Sequence, residues 1–139
     1  MEFTAPLYDA LRQHLAKNRS SFHTPGHKNH SGPLPPDLLS LDLTELPDTD
    51  SLFEAAGPIL KAEEHAAKVF GTARTLFSAG GCTLCIQAML RLVSESGKRT
   101  VLASRVLHRS AVHAMALLDL SPVWLYPEQD AGPGIPGRV

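Results

Sequence analysis

The sequence predicts an α/β fold built on parallel strands, and three observations carry that expectation. Residues 74–126 alternate strand, helix, strand, helix, strand: short apolar stretches near 74–78, at 100–103 (TVLA) and at 122–126 (PVWLY) are separated by helical patterns over 82–95 and 109–119. Such alternation implies a parallel sheet with right-handed crossovers. A Gly80-Gly81 pair stands between the first strand and its helix, where a tight turn is needed. The composition, 43% hydrophobic and 19% charged over 139 residues, is that of a globular chain long enough for one domain with a core.

Each element has its own local signals. Residues 4–17 read as a helix, with Thr4 as cap, Pro6 in the first turn and Leu7, Leu11 and Leu15 as an apolar stripe. Residues 18–50 are polar and rich in Pro and Gly, too long for an idle connection. Leu38, Leu39, Leu41 and Leu43 imply that the second half of this segment packs against something. A helix over 58–70 is framed by Pro58 in its first turn and Gly71 at its C-terminal cap, with Ile59, Ala62, Ala66, Val69 and Phe70 as its apolar face. The helix 82–95 carries Leu84, Cys85, Ala88, Met89 and Leu92 on one face and Ile86, Leu90 and Val93 on another, a pattern that predicts burial on two sides. Three parallel strands with an uncovered apolar edge make an incomplete sheet, and the turn-rich residues after 126 add no closing element. The organisation expected is an N-terminal helix and extended loop over 1–50, then an incomplete α/β domain over 51–139.

Several function classes are disfavoured at once. A formal net charge of −1 gives no general attraction to nucleic acid or to an anionic membrane. No apolar run approaches the roughly 20 residues of a membrane span. The first residues carry acidic side chains and no apolar signal-peptide core, so a cytoplasmic location is expected. Two cysteines three positions apart are not a disulfide framework.

Four groups of residues have chemical potential. At Gly80–Thr83, a Gly-Gly turn leads into a helix N-terminus, where unpaired amides and the helix dipole favour an anion; Thr83 adds a hydroxyl. The plainer reading is a strand-to-helix turn capped by Thr83. The turn after strand 100–103 brings Arg105, His108, Arg109 and Ser110 to the same rim, where ligands of open parallel sheets bind. The alternative is two solvated arginines and a capping His108. His23, His27 and His30 have metal-like spacing, but Pro25 and Gly26 exclude the helix that such spacing needs, so no metal is expected; a tight loop delivering His27 and Lys28 to a site fits better. Cys82 and Cys85 form a C-x-x-C at a helix N-terminus, where dithiol redox motifs sit, against a plain reading in which Cys85 packs in the core. The acidic residues Asp42, Glu45, Asp48, Asp50 and Glu54 offer no specific pair and read as solvated or capping.

Together these pieces are more specific than any one. TPGHK at 24–28, DLTE at 42–45, DSLFEAAGPI at 50–59, AEEHAAKVFG at 62–71, GGCT at 80–83 and RVLHRS at 105–110 occur in order. This series resembles the N-terminal part of the Orn/Lys/Arg decarboxylases, pyridoxal-phosphate enzymes of the aspartate-aminotransferase fold. The resemblance covers about residues 20–126. It implies part of a three-layer fold of that type, decarboxylation of lysine, arginine or ornithine, and dimers; the incomplete sheet, which must cover apolar surface, extends the expectation to a homodimer or higher oligomer. It gives Gly81, Cys82 and Thr83 the cofactor phosphate, His108 the stacking position on the pyridine ring, and Arg109 and Ser110 the place of the family's usual Lys-Ser pair. It places the TPGHK loop, with His27 and Lys28, near the active site.

The departures are informative. Gly80 stands where the family often has Asn, and Cys82 where it often has Ser or Thr, a better hydrogen-bond donor. The family's Schiff-base lysine lies in a Ser-x-His-Lys type motif and its pyridine-facing carboxylate in an Asp-x-x-His type motif; neither pattern occurs in these 139 residues. Lys28 follows His27 but belongs to TPGHK. The expectation is an N-terminal fragment that keeps half of a phosphate site and no catalysis. Two other functions stay open: a thiol or redox protein using Cys82 and Cys85, and a non-catalytic dimerising module.

Overall fold

The computed structural model describes residues 4–28, 35–128 and 137–138. The chain divides into two compact units, Met1–Phe77 and Ser78–Val139.

The first unit holds three helices: α1 (Pro6–Ala16), α2 (Pro36–Ser40) and α3 (Pro58–Phe70). Helix α1 packs on α3 and half-buries Leu7, Leu11 and Leu15, the stripe anticipated from their spacing. Thr4 does not cap it: the helix begins after Ala5 and has no side-chain cap. In the long connection Leu39 is buried and Leu41 and Leu43 are half-buried, whereas Leu38 faces solvent. Helix α3 has the expected bounds, with Pro58 in its first turn and Gly71 beyond it at φ 64°. Its buried stripe is different. Ile59, Glu63 and Ala67 are buried, while Val69 and Phe70 are exposed. The physical reason is a hydrogen bond: the Glu63 carboxylate accepts the backbone N–H of Phe77 at 2.8 Å, which fixes the inward-facing side of α3.

The second unit runs α4 (Gly81–Glu95), β1 (Thr100–Ser104), α5 (Arg109–Leu117) and β2 (Ser121–Leu125). Strands β1 and β2 are parallel, in register from Thr100 opposite Ser121 to Ser104 opposite Leu125, and α5 is the crossover between them. The fold is thus α/β, with a two-stranded parallel sheet among the described residues. The strand expected at 74–78 does not form. A strand exists only beside a partner ladder, and in this segment the Phe77 N–H is taken by a side chain instead. The core of the unit is Leu90 from α4, Ala114 and Met115 from α5, and Leu120, with Ile86, Val101, Leu107, Leu118 and Trp124 packed around it. Helix α4 is buried on one side, not two: Leu90 and Ser94 are buried, while Leu84, Cys85, Met89, Leu92 and Val93 are exposed. Cys85 is therefore a surface thiol and not a core residue.

Candidate functional site

The N-terminus of α4 is built without a side-chain cap. Gly80 is its N-cap residue, and among the described residues no side chain caps the first-turn amides. The Gly80 N–H itself is directed to Ser78 Oγ at 3.2 Å. Gly81 opens the helix at φ 65°, a left-handed conformation that costs an L-residue roughly 1–2 kcal/mol. At Gly80 the restriction is space: an added Cβ would lie 2.5 Å from Leu84 Cδ2 and 2.7 Å from Leu84 Cβ. Glycine at position 80 is therefore matched to the leucine one turn later. The first four N–H groups of any helix lack an i−4 partner and carry the positive end of its dipole. Here they are flanked by exposed Cys82 and Thr83, so an anion can reach them. Thr83 does not act as a cap.

His108 is the N-cap of α5. Its Nδ1 accepts the Ser110 backbone N–H at 3.2 Å and lies 2.8 Å from Ser110 Oγ. An Nδ1 that accepts from an amide carries no proton, which places the neutral ring's hydrogen on Nε2 and leaves Ser110 Oγ to donate. Ser110 is buried and the imidazole is exposed, so the ring is fixed along one edge and open on its surface. The capping role raised as the plainer alternative is thus real. The same two bonds orient the ring, as a stacking role would require. Arg109 is exposed, and Arg105 lies over the Trp124 ring with Cζ 5.1 Å from the centroid. Helices α4 and α5 pack against one another, so the Gly81–Thr83 turn and His108 belong to one unit.

His27 and Lys28 lie in the other unit. His27 Nε2 meets Asp42 Oδ2 at 3.2 Å, and Lys28 donates to the carbonyl oxygen of His23. Lys28 adopts φ 51°. His23 Nδ1 faces the Thr24 carbonyl at 2.6 Å, and its ring meets His14 edge-on at 6.0 Å between centroids. The loop is therefore tied down by its own polar groups. His30 lies outside the described residues.

Four of the five acidic residues have structural partners, and Glu54 is exposed. Asp42 pairs with His27, and Glu45 accepts from Ser51 Oγ at 2.9 Å. Asp48 meets Lys17 and, at 3.0 Å, His14 Nδ1; Lys17 first and His14 second hold its carboxyl well below the usual carboxylate range. Asp50 accepts four amides, Ser51, Ala56, Gly57 and Ile59, at 2.8–3.0 Å, and these bonds bring its carboxyl down to about 2. It thereby caps α3 from seven to nine residues upstream. Sequence reasoning grouped Asp50 with the other loop carboxylates; the signal that marks its role is its place just ahead of the Gly57-Pro58 helix start.

The family described as Orn/Lys/Arg decarboxylase, major domain, matches residues 5–139. An uncharacterized protein of Bacillus subtilis strain 168, YaaO, is 39% identical over 96% of this chain and 29% of its own length. An arginine decarboxylase of Bacillus cereus is 32% identical over 96% of the chain and 30% of its own length. The constitutive lysine decarboxylase of Escherichia coli K12 is 31% identical over 92% of the chain and 20% of its own length. The chain thus spans about 30% of the first two relatives' length. With the match running through both units and through every motif of the ordered series, the chain belongs to the Orn/Lys/Arg decarboxylase major-domain family.

Proposed function

We propose that the chain is the cofactor-phosphate-holding portion of a pyridoxal-phosphate-dependent decarboxylase of basic amino acids, within a larger three-layer α/β domain that works as a cytoplasmic homo-oligomer. The observation that carries this reading is the family match over residues 5–139, supported by relatives named arginine and lysine decarboxylase. The donor set suits a phosphate monoester on an aromatic ring. The amides at Gly81, Cys82 and Thr83 head an uncapped helix, and Thr83 adds a hydroxyl. Cys82 is a weak donor, so its contribution is its backbone N–H. His108 offers the face of a ring oriented through Nδ1 by Ser110. The substrate-loop role proposed for His27 and Lys28 rests on the resemblance of the TPGHK segment, whose own bonds to Asp42 and to the His23 carbonyl lie within the first unit.

When bound, pyridoxal phosphate supplies an electron sink for the electron pair left behind as CO2 departs. The residues described above bind and orient; neither the Ser-x-His-Lys nor the Asp-x-x-His pattern is among the 139 residues, so the role assigned to the chain itself is binding, not turnover. Equilibrium dialysis tests it. Pyridoxal phosphate is expected to bind at least ~10-fold more tightly than pyridoxal, a difference of about 1.4 kcal/mol, and Gly81→Ala is expected to erase most of that preference. Equal affinity for the two compounds would sink the phosphate reading. Incubation with labelled lysine or arginine and the cofactor is expected to release no CO2 from the chain alone.

A further inference from the structure

The proposed function leaves one reactive pair unused. Cys82 and Cys85 are free, both are exposed, and both lie in the first turn and a half of α4. We infer that they form a vicinal dithiol that is oxidised reversibly to an intramolecular disulfide by a low-molecular-weight disulfide such as oxidised glutathione. Residues at i and i+3 of a helix share a face, with Cβ atoms about 5–6 Å apart. A disulfide needs Cβ atoms about 3.5–4.5 Å apart. The turn has to tighten by about 1–2 Å, and this is the turn best able to do so. The Cys82 and Thr83 amides have no i−4 bonds to break, no side chain among the described residues caps the turn, and an added atom at Gly81 meets nothing within 4 Å. The next residue after the pair, Ile86, is half-buried, so the sulfurs lie on the solvent side of the helix where a small disulfide can approach.

The exchange balances without a further reactant. One protein thiolate attacks a sulfur of the small disulfide, forming a mixed disulfide and expelling one thiolate. The second cysteine then attacks the protein-bound sulfur, closing Cys82–Cys85 and expelling the second thiolate. The protein loses two electrons and two protons, and the small disulfide becomes two thiols. The pair stands independently of the cofactor reading. Where that reading also holds, oxidation acts on the phosphate cradle, because the backbone that tightens carries the Cys82 and Thr83 amides.

The test is a glutathione redox titration of the purified chain, quenched with an alkylating reagent and read by intact mass. Wild type is expected to move in one step from doubly alkylated to a species lighter by two hydrogens that takes no alkyl group. Cys82→Ser and Cys85→Ser are each expected to stop at a stable glutathione adduct on the remaining thiol. Glutathione adducts on both cysteines of the wild type, with no internal disulfide, would overturn the inference. Dialysis against pyridoxal phosphate then compares the reduced and oxidised chains. A loss of at least ~10-fold in affinity on oxidation supports the coupling, and unchanged affinity refutes it. If the reduced chain shows no preference for pyridoxal phosphate over pyridoxal, the function proposed above fails, while the mass result still decides the dithiol.

Discussion

Asp50 shows how much one side chain can organise. It sits at φ 75°, a conformation Asp tolerates better than most residues, and from there its carboxylate gathers four amides at the entrance of α3. Those bonds, the Ala56 amide first among them, favour the charged form and bring the group down to about 2 from an ordinary value of 3.8. The unfolded chain therefore takes up the proton first. The stabilisation is complete above about pH 4 and is lost as pH falls toward 2. Asp50→Asn keeps the backbone preference but loses the charge and one acceptor oxygen. Its urea midpoint at pH 7 is expected to be lower than that of wild type, and its decline between pH 4 and pH 2.5 shallower. A variant whose acid profile matches wild type would show that Asp50 is not the titrating group. Ser110 offers a second check. Its Oγ and N–H both serve His108 Nδ1, so Ser110→Ala is expected to cost about 1 kcal/mol. It should also shift the His108 ring resonances, through the lost Oγ bond to Nδ1, while leaving those of His65 unchanged.

Helix α4 has one strongly buried position and a broad uncovered face. Leu90 is 7% exposed within the core of the second unit, and Leu92 is 69% exposed. Leu90→Ala is expected to cost about 2–5 kcal/mol, and Leu92→Ala to stay within about 0.5 kcal/mol of wild type. Urea titrations of the two variants distinguish a helix packed through one side from one packed through both. The contrast also marks what can be read from sequence. The ends of α3 were readable because Pro58 and Gly71 act locally, on their own φ angles and hydrogen bonds. Helix α5 and both strands of the sheet were also readable within two residues, the strands because each finds its partner in the other across one short crossover. Residues 74–78 looked like a strand by composition, but pairing depends on a distant neighbour. The burial of Glu63 has no local signal, because nothing nearby in the sequence reveals that Phe77 brings its N–H to that carboxylate. The glycine turn and His108 were legible as site candidates, and capping was open for Asp50 without its four amides; the Ser110 brace on His108 was not legible, since it depends on where side chains converge.

Across the whole chain, large apolar side chains remain at the surface of each unit. In the first these include Tyr8, Val69, Phe70 and Leu76; in the second, Met89, Leu92, Leu102 and Val123. Isolated exposed apolar residues are ordinary, but several on one helix and one sheet mark surfaces suited to covering by protein. Among the described residues no helix is long and apolar enough to cross a membrane, so a lipid-spanning role for these surfaces has no support in the helices. The α4 residues Met89 and Leu92 are three apart and share a helix face, which offers a compact target for a test. The chain is expected to self-associate in a concentration-dependent way, seen in light scattering as a rising mean mass. Replacing Met89 and Leu92 together with Lys is expected to reduce association without unfolding the unit, because neither side chain belongs to the Leu90–Ala114–Met115–Leu120 core. Unchanged association in a variant with wild-type circular dichroism would assign the contact to another apolar surface. A wild-type chain that stays a monodisperse monomer at all concentrations would count against the homo-oligomer itself.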